Sequence, residues 1–502
     1  MADEENQPLS LAYSGAGEGA TPGSQWKRTT IEEKIAAHKL ELIAAENQVQ
    51  RLRQIGYELD ELLNSTSPIM SLLSWDALIH IFALVCDSEE KGRKPLPVQF
   101  LIGAVCRQWR RIAWATPHLW KNISIYFTRD GFGTQESLVQ QWIERTAHSP
   151  LYIRLNHAHG EWEPPVAFFI QLLKTCHRWI SFEYLRPSLN FQFALSHEAN
   201  SNFPLLKSLE VYGIPKAPGG LNQWQFNSPP ELRSLSFLAQ RDFYLAINWA
   251  TLDVINAVLN LQGSVNLLGL LGSPESLLIT IIPSRPHTAM PVKAPYHLQR
   301  LASLVVDGET ALVSSLLTFI TAPALKVLSV DFKEDHSDHP WIDDFTAFVG
   351  RSSFKLTKLT LHQTSIASEA AIFHMLLNIP SLERLDLDCA SPFTLSDPSI
   401  SQLNSIASSS GGLYTRYLPN LTFFAYRGDI SFSLDTLFAM MKGRIEYVQE
   451  LRIEITYLNH PWYQNKNPNT IHRFYTDVAS LQGVVLTLEW DSILEESDVE
   501  ME

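Results

Sequence analysis

The run Asp335-His-Ser-Asp-His339 puts two carboxylates and two imidazoles within five residues, a donor set that divalent transition metals accept. It falls between a strand-like stretch and Trp341, where a surface loop belongs, and a solvated polar loop is the weightier reading. His157 and His159 give a weaker version of the same signal. The cysteines Cys86, Cys106, Cys176 and Cys389 are isolated, without C-x-x-C spacing. Neither a disulfide framework nor a zinc site is expected of them, and they read as small buried hydrophobes. There is no phosphate-binding Gly-rich loop before a helix, no G-x-S-x-G elbow and no H-E-x-x-H pair. Gly15-Ala-Gly-Glu-Gly19 follows no strand pattern. Catalysis needs a nucleophile, a base and a charge stabiliser brought together, and the sequence marks no such set. The expectation is a protein without enzymatic activity, cofactor or metal.

Charge narrows the partners. The formal net charge of -14 argues against a nucleic-acid footprint or a polybasic membrane anchor, both of which need clustered Lys and Arg. Met1 to Gln25 is acidic and Gly-rich where a signal peptide needs a basic start and an apolar run. Val265 to Ile282 is broken by Asn266, Pro274 and Glu275 and does not read as a membrane span. A soluble protein of the cytoplasm, the nucleus or both is expected.

Recognition chemistry needs elements to carry it. Residues 1–28 read as a disordered tail. From Ile31 through Ile35, His38, Leu42, Ala45, Val49, Leu52, Gly56, Leu59 and Leu63 the spacing alternates between four and three, the seam of a coiled-coil helix over 29–64. Thr30 is its expected cap. The seam admits a homodimer or a helix packed on its own chain. A helical block follows over 68–125. Leu73-Ser-Trp-Asp-Ala-Leu-Ile-His-Ile-Phe82 is amphipathic with Ser74 as N-cap, and Leu101 to Ala113 puts Val105, Trp109 and Ile112 on one face. Thr116-Pro-His-Leu-Trp120 closes the block.

The order Leu-x-x-acid-x-Leu-x-x-Ile-Phe, then Val-Cys-x-x-Trp-Arg-x-Ile-Ala, then Pro-x-Leu-Trp resembles the F-box. That resemblance implies a three-helix module inserting into the Skp adaptor of Skp–cullin–F-box ubiquitin ligases. It assigns adaptor contacts to Leu73, Ser74, Asp76, Leu78, Ile81, Phe82, Val105, Cys106, Trp109, Ile112, Leu119 and Trp120. Ser74 stands where the family usually has proline. The function implied is a substrate-recruiting subunit bound to the Skp adaptor and a cullin scaffold, with an unknown protein substrate. The alternative is an F-box-bearing scaffold that does not direct ubiquitination.

Over 136–490, Leu-x-x-Leu-x-apolar recurs at Leu206, Leu232, Leu301, Leu325, Leu356 and Leu382, with weaker copies at Leu421 and Val448. The wide interval between Leu232 and Leu301 leaves room for two degenerate copies around Leu252 and Leu278. Pro204, Pro230, Pro323, Pro380 and Pro419 precede five of the copies and set up extended entries. Helix-period stretches such as Leu312–Ile320 lie between. The whole resembles a degenerate leucine-rich repeat, and the fold class is α/β: coiled-coil helix, three-helix F-box, then an irregular leucine-rich-repeat-like solenoid. Side chains alternate across a strand, so the positions flanking the buried ones share a face. Tyr212, Asp307, Asp331, His362, Asp386, Asp388, Arg427 and Glu454 are the substrate-facing set, an acidic ladder suited to a basic segment of a partner. An acidic tail, 491–502, ends the chain, and Ser492 and Ser497 in it each have Glu three residues on.

Overall fold

A computed structural model describes residues 22–66, 72–87, 97–157, 162–197, 202–212, 223–224, 230–239, 244–245, 247–283, 295–333, 341–364, 369–389, 393–404, 406–408, 414–457 and 468–490. The Asp335–His339 run, His159, the acidic tail and residues 1–21 lie outside them. The chain is mixed α/β, with a mostly parallel sheet, and divides into two units, Met1–Thr116 and Pro117–Glu502.

The first unit is helical. Helix α1 spans Pro22–Ser65, α2 Trp75–Asp87, α3 Val98–Val105 and α4 Arg107–Ala115. Proline at the head of α1 has no N–H to satisfy, so the helix starts there and Thr30, the expected cap, lies inside it. The seam side chains of α1 face solvent along its length, with Ile31 57%, Leu42 52% and Leu59 61% exposed. Its last turns are fastened to the rest of the unit. The Glu61 carboxylate accepts the Arg107 backbone N–H at 3.0 Å and pairs with the Arg107 guanidinium at 2.7 Å. Asn64 donates to the Val105 carbonyl at 3.0 Å. Glu61 thereby satisfies an orphan amide at the positive end of α4.

In the second unit, β1 (Asn122–Phe127), β2 (Leu151–His157), β3 (Trp179–Leu185), β4 (Ser208–Tyr212), β5 (Ser234–Leu238), β6 (Val254–Leu259) and β7 (Ser276–Ile281) come first. Then follow β8 (Ser303–Glu309), β9 (Val327–Lys333), β10 (Lys358–Thr364), β11 (Arg384–Cys389), β12 (Phe423–Ile430), β13 (Leu451–Tyr457) and β14 (Val484–Trp490). Each is parallel to, and hydrogen-bonded with, the strand before it, so spatial order is chain order. The short strand Thr394–Leu395 lies alongside β12.

Every Leu-x-x-Leu-x-apolar copy coincides with a strand, and β6 and β7 fill the wide interval. Register stacks Leu209, Leu235, Ile255, Leu277, Leu304, Leu328, Leu359, Leu385, Phe424 and Ile453 into one buried ladder. In four places a Pro occupies the second position of a tight turn just before the strand. The N–H of Leu206, Leu325, Leu382 and Leu421 returns to the carbonyl of Phe203, Ala322, Ile379 and Leu418. The prolines thus set a turn rather than an extended entry.

Between strands run α5 (Phe132–Arg145), α6 (Val166–Leu173), α7 (Leu189–His197), α8 (Leu261–Leu270), α9 (Thr310–Thr318) and α10 (Trp341–Ser352). Helices α11 (Glu369–Leu376), α12 (Asp397–Gln402), α13 (Leu434–Ile445) and α14 (Pro468–Ala479) complete the unit. Three arginines tie neighbouring connections together by meeting carbonyls left over at helix ends and turns. Arg178 donates to the Ser149 carbonyl at 3.0 Å, and Arg351 to those of Leu317 and Ile320. Arg444, wholly buried, donates to Leu403, Tyr417, Leu418 and Leu421.

Pro117–Trp120 and β1 belong to this second unit instead of closing the helical block. Trp120 is wholly buried there, and its carbonyl accepts the indole N–H of Trp142 at 2.8 Å. The sequence pattern extends the block to residue 125 because nothing local distinguishes a helical closure from the first turn of a new core.

Candidate interaction surfaces

In the helical unit the inner positions of α2 are Leu78, Phe82 and Cys86, four residues apart and all buried. They meet Ile102, Cys106, Ile112 and Ala113 in a small core, where the Phe82 and Trp109 rings lie 4.9 Å apart. Ser74 caps α2, its hydroxyl accepting the Ala77 N–H at 3.2 Å, as its residue type suggests. Cys106 does the same for α4, its Sγ taking the Trp109 N–H at 3.4 Å. Nothing in the sequence marks that thiol as a cap.

The twelve residues assigned by the resemblance therefore separate. Leu78, Phe82, Cys106 and Ile112 hold the helices together, and Leu119 and Trp120 are buried in the other unit. These six are core side chains in the structure, each at or below 4% exposure. Leu73 and Trp109 are half-buried, and Ser74, Asp76, Ile81 and Val105 are exposed. Around these exposed positions stand apolar side chains that sequence reading did not single out: Leu72 80%, Trp75 52%, Leu84 58% and Leu101 49% exposed. Their signal was present as more apolar residues than the buried stripe Leu78, Phe82 and Cys86 needs.

The second surface is the sheet face opposite the buried ladder. Register sets Asp307 beside Asp331, Asp331 beside His362, and Asp388 beside Arg427. Asp386 and Glu454 lie one row back on either side of Ala425. The structure thus gathers seven of the eight expected residues over β8 to β13. Tyr212 sits on β4, four strands from Asp307, and shares no cluster with them. Its phenol is pushed up to about 12 by burial and by Glu210 beside it.

The acidic ladder is not bare. Lys333 pairs with Asp307 at 3.1 Å, and His362 and Arg427 approach Asp388 at 3.7 and 3.8 Å. Arg452 meets Glu454 at 2.5 Å. Like charges on adjacent strands repel, and the fold answers by interleaving its own cations. A row of Lys358, Arg384, Phe423 and Arg452 runs across the strand starts, two residues before Asp386 and its neighbours. The Arg384 guanidinium stacks 4.2 Å from the centre of the Phe423 ring. Burial lifts the Asp386 carboxyl above the ordinary carboxylate range, partly offset by His362 and Lys358. By contrast, β5 to β7 present Ser234, Ser236, Leu238, Asn256, Leu278 and Thr280, a neutral stretch. The face is a charge mosaic beside a neutral strip, not an anionic patch.

Among the described residues no group of His, Cys, Asp or Glu is arranged to hold a metal ion, and no helix is long and apolar enough to cross a membrane. No family model matches the sequence, and no relative was found among curated proteins. Among solved structures, similarity was found to a Bacteroides fragilis protein from the Northeast Structural Genomics Consortium. That match has 11% identity, covers 67% of this chain and 73% of the other, and has a TM-score of 0.26. An overlap that loose carries nothing about fold or function.

Proposed function

We propose that the chain is a substrate-recruiting F-box subunit of a Skp–cullin–F-box ubiquitin ligase, acting in the cytoplasm or nucleus without catalysis of its own. The helical unit docks the Skp adaptor, and the second unit, a leucine-rich-repeat-like solenoid, holds the target protein on its open sheet face. The observation that carries the reading is the apolar set Leu72, Trp75, Ile81, Leu84, Leu101 and Val105, exposed on the segment after α1 around the buried Leu78, Phe82, Ile102 and Ile112. Uncovered apolar side chains on a small helical unit support a protein partner there. At about 25 cal/mol per Å² of apolar surface covered, a handful of such side chains supplies several kcal/mol of docking energy.

For the sheet face, the mosaic of Asp331, Asp386, Asp388 and Glu454 among Arg384, Arg427 and Arg452 supports a partner segment of mixed charge. The experiment is to purify the full chain from cells and identify what accompanies it, then remove the chain and follow each captured partner. A Skp adaptor and cullin in the purified complex, with a partner whose half-life lengthens on removal, is the expected result. Captured partners whose half-lives stay constant would favour the scaffold alternative instead. Absence of adaptor and cullin altogether would overturn the proposal.

A further inference from the structure

We propose that α1 pairs with α1 of a second copy in antiparallel orientation, offset by one heptad, making the protein a homodimer. The apolar seam supplies the first argument. Ile31, Ile35, Leu42, Val49, Leu52, Leu59 and Leu63 follow the 4–3 spacing of a coiled coil and stand between 47% and 72% exposed. Within the unit, α1 is tied through its last turns by Glu61 and Asn64.

The charges flanking the seam decide how a second copy lies. With Ile31, His38, Ala45, Leu52 and Leu59 at the d positions, Lys39, Glu46, Arg53 and Asp60 fall at e, and Lys34 and Glu41 at g. A parallel, in-register pair sets each Lys34 against Lys39 of the other copy, and each Glu41 against Glu46. Both contacts are repulsive. An antiparallel pair overlapped over the whole seam sets Glu32 against Asp60, Lys39 against Arg53 and Glu46 against itself, repulsive again. Sliding that pair by one heptad turns every such contact around: Lys39 meets Asp60, and Glu46 meets Arg53, each twice by symmetry. The same register stacks Leu42 on Leu59 and Val49 on Leu52, and lets the small residues Ala45 and Gly56 share a layer. Sliding the other way also matches charges, and it leaves Leu59 and Leu63 uncovered as the first slide leaves Ile31 and Ile35. But it sets Ile31 against Gly56 and Leu42 against Ala45, where the first stacks Leu42 on Leu59 and pairs the two small residues. The charge pattern and the layer pattern together select one register. Gly56, which weakens an isolated helix, then has a role as half of a close-packed layer.

The test uses the full chain, whose four native cysteines are buried and leave engineered thiols to report alone. Light scattering at micromolar concentration should give a dimer. Under mild oxidant, Leu42→Cys mixed with Leu59→Cys should form a mixed disulfide, while Leu42→Cys by itself should not. Glu46→Arg and Arg53→Glu should each weaken the dimer roughly tenfold, since two attractive pairs become repulsive in each. The double variant should recover the native affinity. These two substitutions are on the exposed side of the helix, so circular dichroism should hold constant across the set. A monomer at micromolar concentration overturns the proposal, as does a dimer in which Leu42→Cys crosslinks to itself or the double variant stays weak.

Discussion

Arg444 shows what a single side chain does for this fold. Its guanidinium is wholly buried and donates to four backbone carbonyls from α12 and from the turn before β12. Removing the donors leaves those carbonyls without their partner in a dry site, the costly side of the hydrogen-bond balance. Arg444→Met should therefore lower the unfolding free energy by about 3 kcal/mol, read from urea melts, with the largest loss of hydrogen-exchange protection in β12 and β13. Asp386 carries the opposite cost. Its carboxyl is held above its ordinary range chiefly by burial, so the folded state binds the proton more tightly than the unfolded chain. Ionised Asp386 thus subtracts stability at neutral pH, and that loss is relieved as pH falls below the raised value. Asp386→Asn should raise the melting temperature slightly at pH 7, and the gain should fade as pH is lowered towards the ordinary carboxylate range. An advantage that grows on acidification would contradict the desolvation account.

At the scale of elements, β4, β5 and β8 to β13 were legible because their inward positions are mostly Leu, Ile, Val or Phe at fixed spacing. The earlier strands β1 and β3 were not, because Phe127, Trp179, Phe182 and Tyr184 fill inward slots with bulkier side chains. Those residues pack as an aromatic cluster, with Trp179 and Phe182 rings 4.8 Å apart, that no leucine template matches. On the face, sequence period located the aspartates. The pairing with Lys333, His362 and Arg427 depends on register between strands dozens of residues apart, and no local pattern carries that. Helix starts were better served, since a cap is a local bond. Ser74 makes the bond its residue type suggests, and Ser74→Ala should cost the helical unit about 1 kcal/mol of stability. Glycine there should cost only a few tenths. Equal losses for the two would argue that Ser74 acts by something other than capping.

At the scale of the molecule, one unit offers an apolar surface and the other a charge mosaic, and the account gives them different partners. Reversing Asp331 and Asp388 together to lysine should change the set of captured target proteins while adaptor capture persists. Melting temperature should shift little, because half-exposed ion pairs such as Asp388 with His362 and Arg427 contribute about 1 kcal/mol or less. The most direct measurement of the central claim is adaptor capture by the full chain carrying Ile81→Asp and Leu84→Asp. Both side chains are exposed, so the helical unit should stay folded by circular dichroism and thermal melting. Burying two carboxylates in a docked apolar interface should abolish co-purification with the Skp adaptor, in contrast to the native chain. Native-level adaptor capture by that folded variant, or none by the native protein, would contradict the account.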